Sequence, residues 1–445
     1  MGKSPFLVEQ PPLHFCAMHS FHYRDGELYC EDAALARVAE EFGTPLYVYS
    51  AGTILDHYRR LDAALAPLDH LICYAVKANS NGAILKLLAE AGAGFDIVSG
   101  GELFRVLKAG GAASKCSFAG VGKSREEIEY ALDKGVLSFN VESEAELDRI
   151  DRIARSKEVR APIALRVNPD VDAGTHRYVS TGRSENKFGI GLDRVTAVYE
   201  KAARLPNLFI RGVQMHIGSQ ITDAAPFAEA IAKVTPLIEE LKQRYSLEFF
   251  SVGGGMGIIY RRALESGSGK WWHEHGSEMS AFSIADYRDA IVPPLRQLGL
   301  RVLLEPGRFL VGNAGVLLTR VQYLKQAAKK KFAIVDAGMN DLIRPALYQS
   351  YHEIVPVREP AAKERESVDV VGPVCESGDF FAQDRELPPA REGDLLALMS
   401  AGAYGFAMAS NYNSRPLPAE VLVQGDRFSL IRRRQTIEDL VRDEC

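Results

Sequence analysis

The sequence predicts an α/β fold: a (β/α)8 barrel of the TIM type, followed by a mainly β domain that takes in the N-terminal arm. Three observations lead there. Between Leu71 and Glu305, eight short apolar runs alternate with helix-patterned stretches, a rhythm that suits a closed parallel barrel better than an open sheet. Almost every run ends in a polar side chain or a glycine, at the end where a barrel carries its chemistry. After Arg308, strand-like runs recur without regular helices between them.

Residues 1–45 read as an arm packing with the β domain, 46–308 as the barrel and 309–445 as the C-terminal β domain. In the arm, Phe21-His22-Tyr23 and Glu27-Leu28-Tyr29-Cys30 flank Arg24-Asp25-Gly26, a hairpin turn signal. Residues 31–42 have helical apolar spacing and stop at Gly43; 44–50 alternate as a strand; 51–65 read as a helix ended by Pro67. The eight barrel runs are 71–77, 94–99, 116–120, 137–141, 163–168, 212–218, 249–254 and 301–305. The β domain offers 315–324, 331–336, 367–371, 394–399 and 419–423, and the arm is expected to pair with its sheet. Segments 261–279, with Trp271-Trp272, and 358–366 read as insertions.

At 445 residues, 47% hydrophobic and 25% charged, the chain has the size and composition of a two-domain folded protein. A net charge of −5 argues against nucleic acid as a partner, because no basic excess is available to neutralise phosphates. The six cysteines are scattered, with no CxxC pair and no zinc-ligand spacing, which fits a reduced, cytoplasmic setting and no metal. Residues 1–12 lack a signal-peptide core, and no apolar run has the length of about 18 residues that a membrane span needs.

Lys77 closes the first apolar run. By itself a strand-end lysine snorkels to water, but one delivered into a dry pocket would lose its charge and offer an amine for Schiff-base chemistry. Gly253-Gly254-Gly255 follows the seventh run. Three glycines make a plain turn, or let backbone N–H groups close on a phosphate, which barrels commonly bind after strands seven and eight. Glu305 ends the eighth run, in Glu305-Pro306-Gly307-Arg308. It is an ion-pair partner or, if a pyridine ring spans the mouth, the group that keeps the ring nitrogen protonated. His216 fills space or stacks on such a ring, with Ser219 reaching the phosphate; Asp96 pairs with Lys77 or with His216. Beyond the barrel, Cys375 is a proton donor in waiting or an inert loop thiol, and Glu376 suits an ammonium. Arg308 and Arg344 with Tyr348 offer a carboxylate clamp, and Tyr404 stands in a turn of small residues.

Together these motifs resemble the fold-type III pyridoxal-phosphate decarboxylases, and among them the diaminopimelate decarboxylases. The matching pieces are YAVKAN at 74–79, FDIVS at 95–99, TGRSENKFGI at 181–190, HIGSQ at 216–220, GGGMGI at 253–258, EPGR at 305–308, DAGMNDLIRPALY at 336–348, GPVCESGD at 372–379, MASNYNSRPLPAEVLV at 408–423 and the tail LIRRRQTIEDL at 430–440, nearly end to end. The resemblance implies pyridoxal 5'-phosphate as cofactor and conversion of meso-2,6-diaminopimelate to L-lysine and carbon dioxide, the last step of lysine biosynthesis. It implies that Lys77 carries the cofactor and that His216 stacks on it. Asp96, Ser219, Gly254, Gly255, Glu305, Gly307, Arg308 and Tyr404 would also contact it. Arg308, Arg344, Tyr348, Glu376 and Tyr404 would hold the substrate, and Cys375 would protonate the product carbon. It further implies a homodimer, with Cys375 and Glu376 crossing from the neighbouring subunit. The alternatives are the same chemistry on ornithine, arginine or carboxynorspermidine, and a cofactor-binding barrel without catalysis. Arg177, where proline is expected, and the length of 261–279 depart from the pattern.

Overall fold

The structure is a computed structural model that describes residues 18–172, 187–275, 283–360 and 364–445. Arg177, most of the 181–190 motif and the end of the 261–279 insertion lie outside the described residues. Eight parallel strands close the barrel: β1 (His70–Ala75), β2 (Gly94–Ile97), β3 (Cys116–Phe118), β4 (Ser138–Val141), β5 (Ala161–Asn168), β6 (Leu208–Met215), β7 (Phe249–Ser251) and β8 (Arg301–Leu304). Each pairs with its neighbours in sequence, and β8 returns to β1 through Val302↔His70, Leu303↔Leu71 and Leu304↔Ile72. The strands are largely buried on both faces, which is why they read as mainly apolar runs without polar alternation. Several connecting helices begin at side-chain caps: Ser99, Ser124 and Ser143 each accept a backbone N–H, and Ser124 with Glu127 completes a capping box.

The β domain is built on one long strand, Gly315–Gln326. It pairs with Lys331–Val335, with Leu395–Leu398 and with Leu46–Ser50. The last of these corrects the expected boundary. Leu46–Ser50, all of it buried, lies between Gly315–Gln326 and Ala419–Gln424 in the β sheet, so the barrel segment starts with the helix Ala51–Leu65 rather than at residue 46. The chain therefore leaves the β domain directly into the barrel.

The arm's hairpin forms as its turn chemistry dictates, with positive φ at Asp25 (51°) and Gly26 (75°). It meets the β domain through the antiparallel bridge Glu27↔Arg358, where the Leu28 N–H donates to the Val357 carbonyl, rather than as a strand of the large sheet. It forms its own three-stranded sheet and buries Phe21, Leu28, Leu35 and Val38 against Val48, Val316 and Val421. Among the described residues of the β domain, Ile354–Pro356, Phe380–Leu387 and Arg427–Arg432 are strands that the apolar pattern does not mark. The last two lie at the ends of their sheet, carry charges and are half exposed, so they present no apolar run.

Candidate active site

The carboxyl ends of the barrel strands and the β domain enclose a cavity of about 480 Å³. Lys77 reaches it from a one-turn 3-10 helix, Val76–Ala78, immediately after β1. This turn is fastened to the β domain: the Tyr404 N–H donates to the Ala78 carbonyl at 2.8 Å, and Asn79 Nδ2 donates to the Gly402 carbonyl at 3.2 Å. Tyr404, at φ 57°, is thereby held against the turn that carries Lys77.

Lys77 Nζ donates to Asp96 Oδ2 at 3.1 Å, and Asp96, on β2, is buried with Oδ1 unpartnered among the described residues. Burial works against the lysine's charge, but Asp96, Tyr404 and Glu305 together outweigh it, and its pKa is raised. Burial alone therefore does not free the amine, contrary to the simple expectation. Of the two partners considered for Asp96, the structure shows the lysine.

Glu305 follows β8 and is 6% exposed. It accepts from Ser251 Oγ at 2.7 Å, Gln214 Nε2 at 2.9 Å and Asn140 Nδ2 at 3.4 Å. Burial, with the charge of Asp96, pushes its carboxyl up to about 7, against the pull of Ser251, Gln214 and Lys77. His216, after β6, accepts the Gly254 N–H at Nδ1 (3.2 Å). Burial and the cations Arg166 and Lys77 hold its pKa well down, so it is a neutral imidazole.

The glycine loop packs tightly between its neighbours. A Cβ on Gly254 would stand 2.2 Å from the Glu305 carbonyl oxygen; one on Gly255, at φ 109°, would stand 2.5 Å from that of Gly218. Gly254 itself does not line the cavity, and its N–H is bonded to His216; Gly255, Ser219 and Gly307 do line it.

Arg308, just after β8, and Arg344, from the β domain, are 7% and 5% exposed and both line the cavity. Arg308 donates to Ser219 Oγ at 3.0 Å and to the Tyr260 hydroxyl at 2.5 Å, and its guanidinium lies 4.9 Å from the Tyr404 ring centre. Arg344 donates to His352 Nε2 at 3.0 Å, and Tyr348 lines the cavity beside it. Neither arginine has a carboxylate within 4.0 Å among the described residues. Cys375 and Glu376 are exposed and do not line the cavity; the Tyr412 hydroxyl donates to Glu376, and the Cys375 N–H donates to Asn413 Oδ1 at 2.9 Å.

Several residues at the site went unassigned. Asn140, Gln214 and Ser251 are polar positions inside otherwise apolar strands, a readable signal in a buried strand. Arg166, stacked 4.7 Å from the Phe188 ring and paired with Glu142 at 3.0 Å, ends a strand as a cavity-facing cation. Tyr260 and His352 carried no sequence signal beyond their residue type.

The residues fit pyridoxal phosphate: an amine beside a buried carboxylate with a free oxygen, a second buried carboxylate, a neutral imidazole and a loop closed to any Cβ share one cavity. Residues 51–312 match the pyridoxal-binding domain of the pyridoxal-dependent decarboxylases. Diaminopimelate decarboxylase of Pseudomonas aeruginosa is 51% identical over 96% of this chain and 99% of its own length. That of Pseudomonas fluorescens is 52% identical over 96% and 99%. The crystal structure of diaminopimelate decarboxylase from Helicobacter pylori, complexed with L-lysine, superposes with a TM-score of 0.85 at 41% identity, covering 92% of this chain and 98% of that one. Barrel, β domain, cavity chemistry and full-length similarity agree: the chain belongs to the diaminopimelate decarboxylases, within the pyridoxal-dependent decarboxylase family.

Proposed function

We propose that this chain decarboxylates meso-2,6-diaminopimelate to L-lysine and carbon dioxide, using pyridoxal phosphate anchored on Lys77. The observation that carries the reading is the pair of buried arginines, Arg308 and Arg344, which share one cavity with Lys77 and have no carboxylate partner among the described residues. A substrate with a second carboxylate supplies that partner; a simple diamine precursor does not.

Lys77 would hold the cofactor covalently, Glu305 would face its ring nitrogen, and His216, neutral and fixed by Gly254, would lie on the ring. Ser219, Gly255 and Gly307 would surround the phosphate. The bound cofactor supplies an electron sink for the charge left at carbon when carbon dioxide departs. Asp96 orients the Lys77 amine. Glu305, held by Ser251, Gln214 and Asn140, keeps a proton at the atom it faces. Arg308 and Arg344, with Tyr348 and Tyr404, grip the carboxylate that stays. A proton must then reach the carbon that lost its carboxylate, and Cys375 would deliver it, while Glu376 would bind the remaining ammonium.

Cys375 and Glu376 lie outside the cavity of their own chain, which supports a homodimer whose sites are completed by a second copy. We read the chain as an arm (1–45), a barrel and a β domain (309–445) that carries substrate and dimer contacts. A cytoplasmic setting is consistent with the unpaired thiols Cys30, Cys73, Cys116, Cys375 and Cys445, and no helix among the described residues is long and apolar enough to cross a membrane. The test is carbon dioxide release from meso-2,6-diaminopimelate by the purified protein, with pyridoxal phosphate supplied or stripped. Release that depends on the cofactor supports the reading; none with cofactor bound overturns it.

A further inference from the structure

Tyr260 follows the glycine loop by five residues and leads into the 261–279 insertion. Its position between the two arginines is specific. The hydroxyl accepts from Arg308 Nη1 at 2.5 Å; the Arg344 guanidinium carbon lies 4.9 Å from the ring centre and that of Arg308 5.9 Å. The ring meets His352 edge-on at 5.3 Å, and His352 accepts from Arg344. Arg308 Nε is buried with no partner among the described residues.

Two like charges buried side by side are costly unless something negative stands between them. Here that something is a phenol oxygen. Burial raises the Tyr260 pKa, but Arg308 and then Arg344 outweigh it and bring it below the ordinary tyrosine value. The phenol serves as a weak counter-charge, and a carboxylate entering the clamp is a stronger one. When a carboxylate takes the arginine N–H groups, the phenol oxygen is released from its role as acceptor, and its O–H can turn to donate to that carboxylate.

We propose that Tyr260 is a positioning residue for the substrate's remaining carboxylate: it keeps Arg308 and Arg344 spread while the clamp is empty, and donates its O–H to the carboxylate that fills it. The inference rests on the reading of the two arginines under Proposed function. It assigns the loop after β7 a part in choosing dicarboxylates, in addition to its part in shaping the glycine cradle.

The test is Tyr260→Phe in the holoenzyme, which keeps the ring and removes the hydroxyl. Two competitive ligands separate the roles: pimelate, with carboxylates and no amine, and 1,5-diaminopentane, with amines and no carboxylate. The expected result is a rise of about 10- to 100-fold in KM for diaminopimelate and in Ki for pimelate. The Ki for 1,5-diaminopentane, kcat and the visible absorbance of the bound cofactor should stay close to those of the unaltered enzyme. Equal weakening of both ligands, or of neither, overturns the proposal. Should Tyr260→Phe not retain cofactor, the comparison moves to Tyr260→Gln against Tyr260→Leu, which differ mainly in the donor; tighter pimelate binding by the Gln variant supports the proposal and equal binding overturns it. If the unaltered enzyme does not turn over diaminopimelate, the Proposed function fails by itself, and the pimelate comparison still decides the role of Tyr260.

Discussion

At the scale of single residues, the site is a set of charges made tolerable by specific neighbours. Lys77 is held by Asp96 at 3.1 Å, and Glu305 by three polar side chains from three strands. Lys77→Ala should abolish the visible absorbance of bound cofactor and lower turnover by at least about 10²–10⁴-fold; absorption spectra of the purified variant check the first. Glu305 makes a prediction about pH. In the cofactor-free protein its pKa rises from 4.5 to about 7, chiefly through burial. Between those values the folded chain holds a proton that the unfolded chain has given up, so the stability of the cofactor-free protein falls as pH rises through that window. Glu305→Gln should remove this slope: near the acid end its Tm should match that of the parent protein, and above about pH 7 it should exceed it. Parallel melting profiles across the range would contradict the assignment. From sequence, Glu305 and Lys77 were readable as strand-end charges; the sign of the lysine's shift was not, because it depends on Asp96, a different strand's residue.

At the scale of elements, strand ends position the chemistry and short turns lock it. Gly254 shows how tightly. A Cβ there meets the Glu305 carbonyl at 2.2 Å, and its N–H orients His216. Gly254→Ala should cost about 1–3 kcal/mol of stability through overpacking and should weaken cofactor binding; thermal denaturation and cofactor titration measure the two. The barrel strands were legible because both faces are buried and most of their residues are apolar, with several of the polar ones toward the carboxyl ends. Phe380–Leu387 and Arg427–Arg432 were not, since an edge strand with charged, half-exposed side chains looks like a loop. Leu46–Ser50 was legible as a strand but not as a member of the β sheet. Which sheet a buried strand joins is set by partners far along the chain, here Gly315–Gln326 and Ala419–Gln424.

At the scale of the whole molecule, one chain leaves Cys375 and Glu376 outside its own cavity. The barrel offers Lys77 and Glu305, and the β domain swings back to add Arg344, Tyr348 and Tyr404, with its turn fastened to the lysine's own turn through Tyr404 and Ala78. Cys375 and Glu376 face outward. Cys375→Ala should lower turnover by about 10²-fold or more while leaving cofactor bound. If a second copy supplies Cys375, mixing the inactive Lys77→Ala and Cys375→Ala proteins should restore activity, up to about a quarter of the unaltered level, through dimers that carry one intact site; no restoration after subunit exchange would contradict shared sites. The family resemblance implied that Cys375 and Glu376 serve a neighbouring copy; residue type and spacing alone do not place them outside their own chain's cavity, which is a property of the folded surface. Selection of a substrate with a second carboxylate by Arg308 and Arg344, in the cavity that holds Lys77, is measured by kcat/KM over a panel of meso-2,6-diaminopimelate, ornithine, arginine and lysine. Diaminopimelate should turn over with the others at background; turnover of ornithine or arginine without diaminopimelate would contradict selection by the arginine pair.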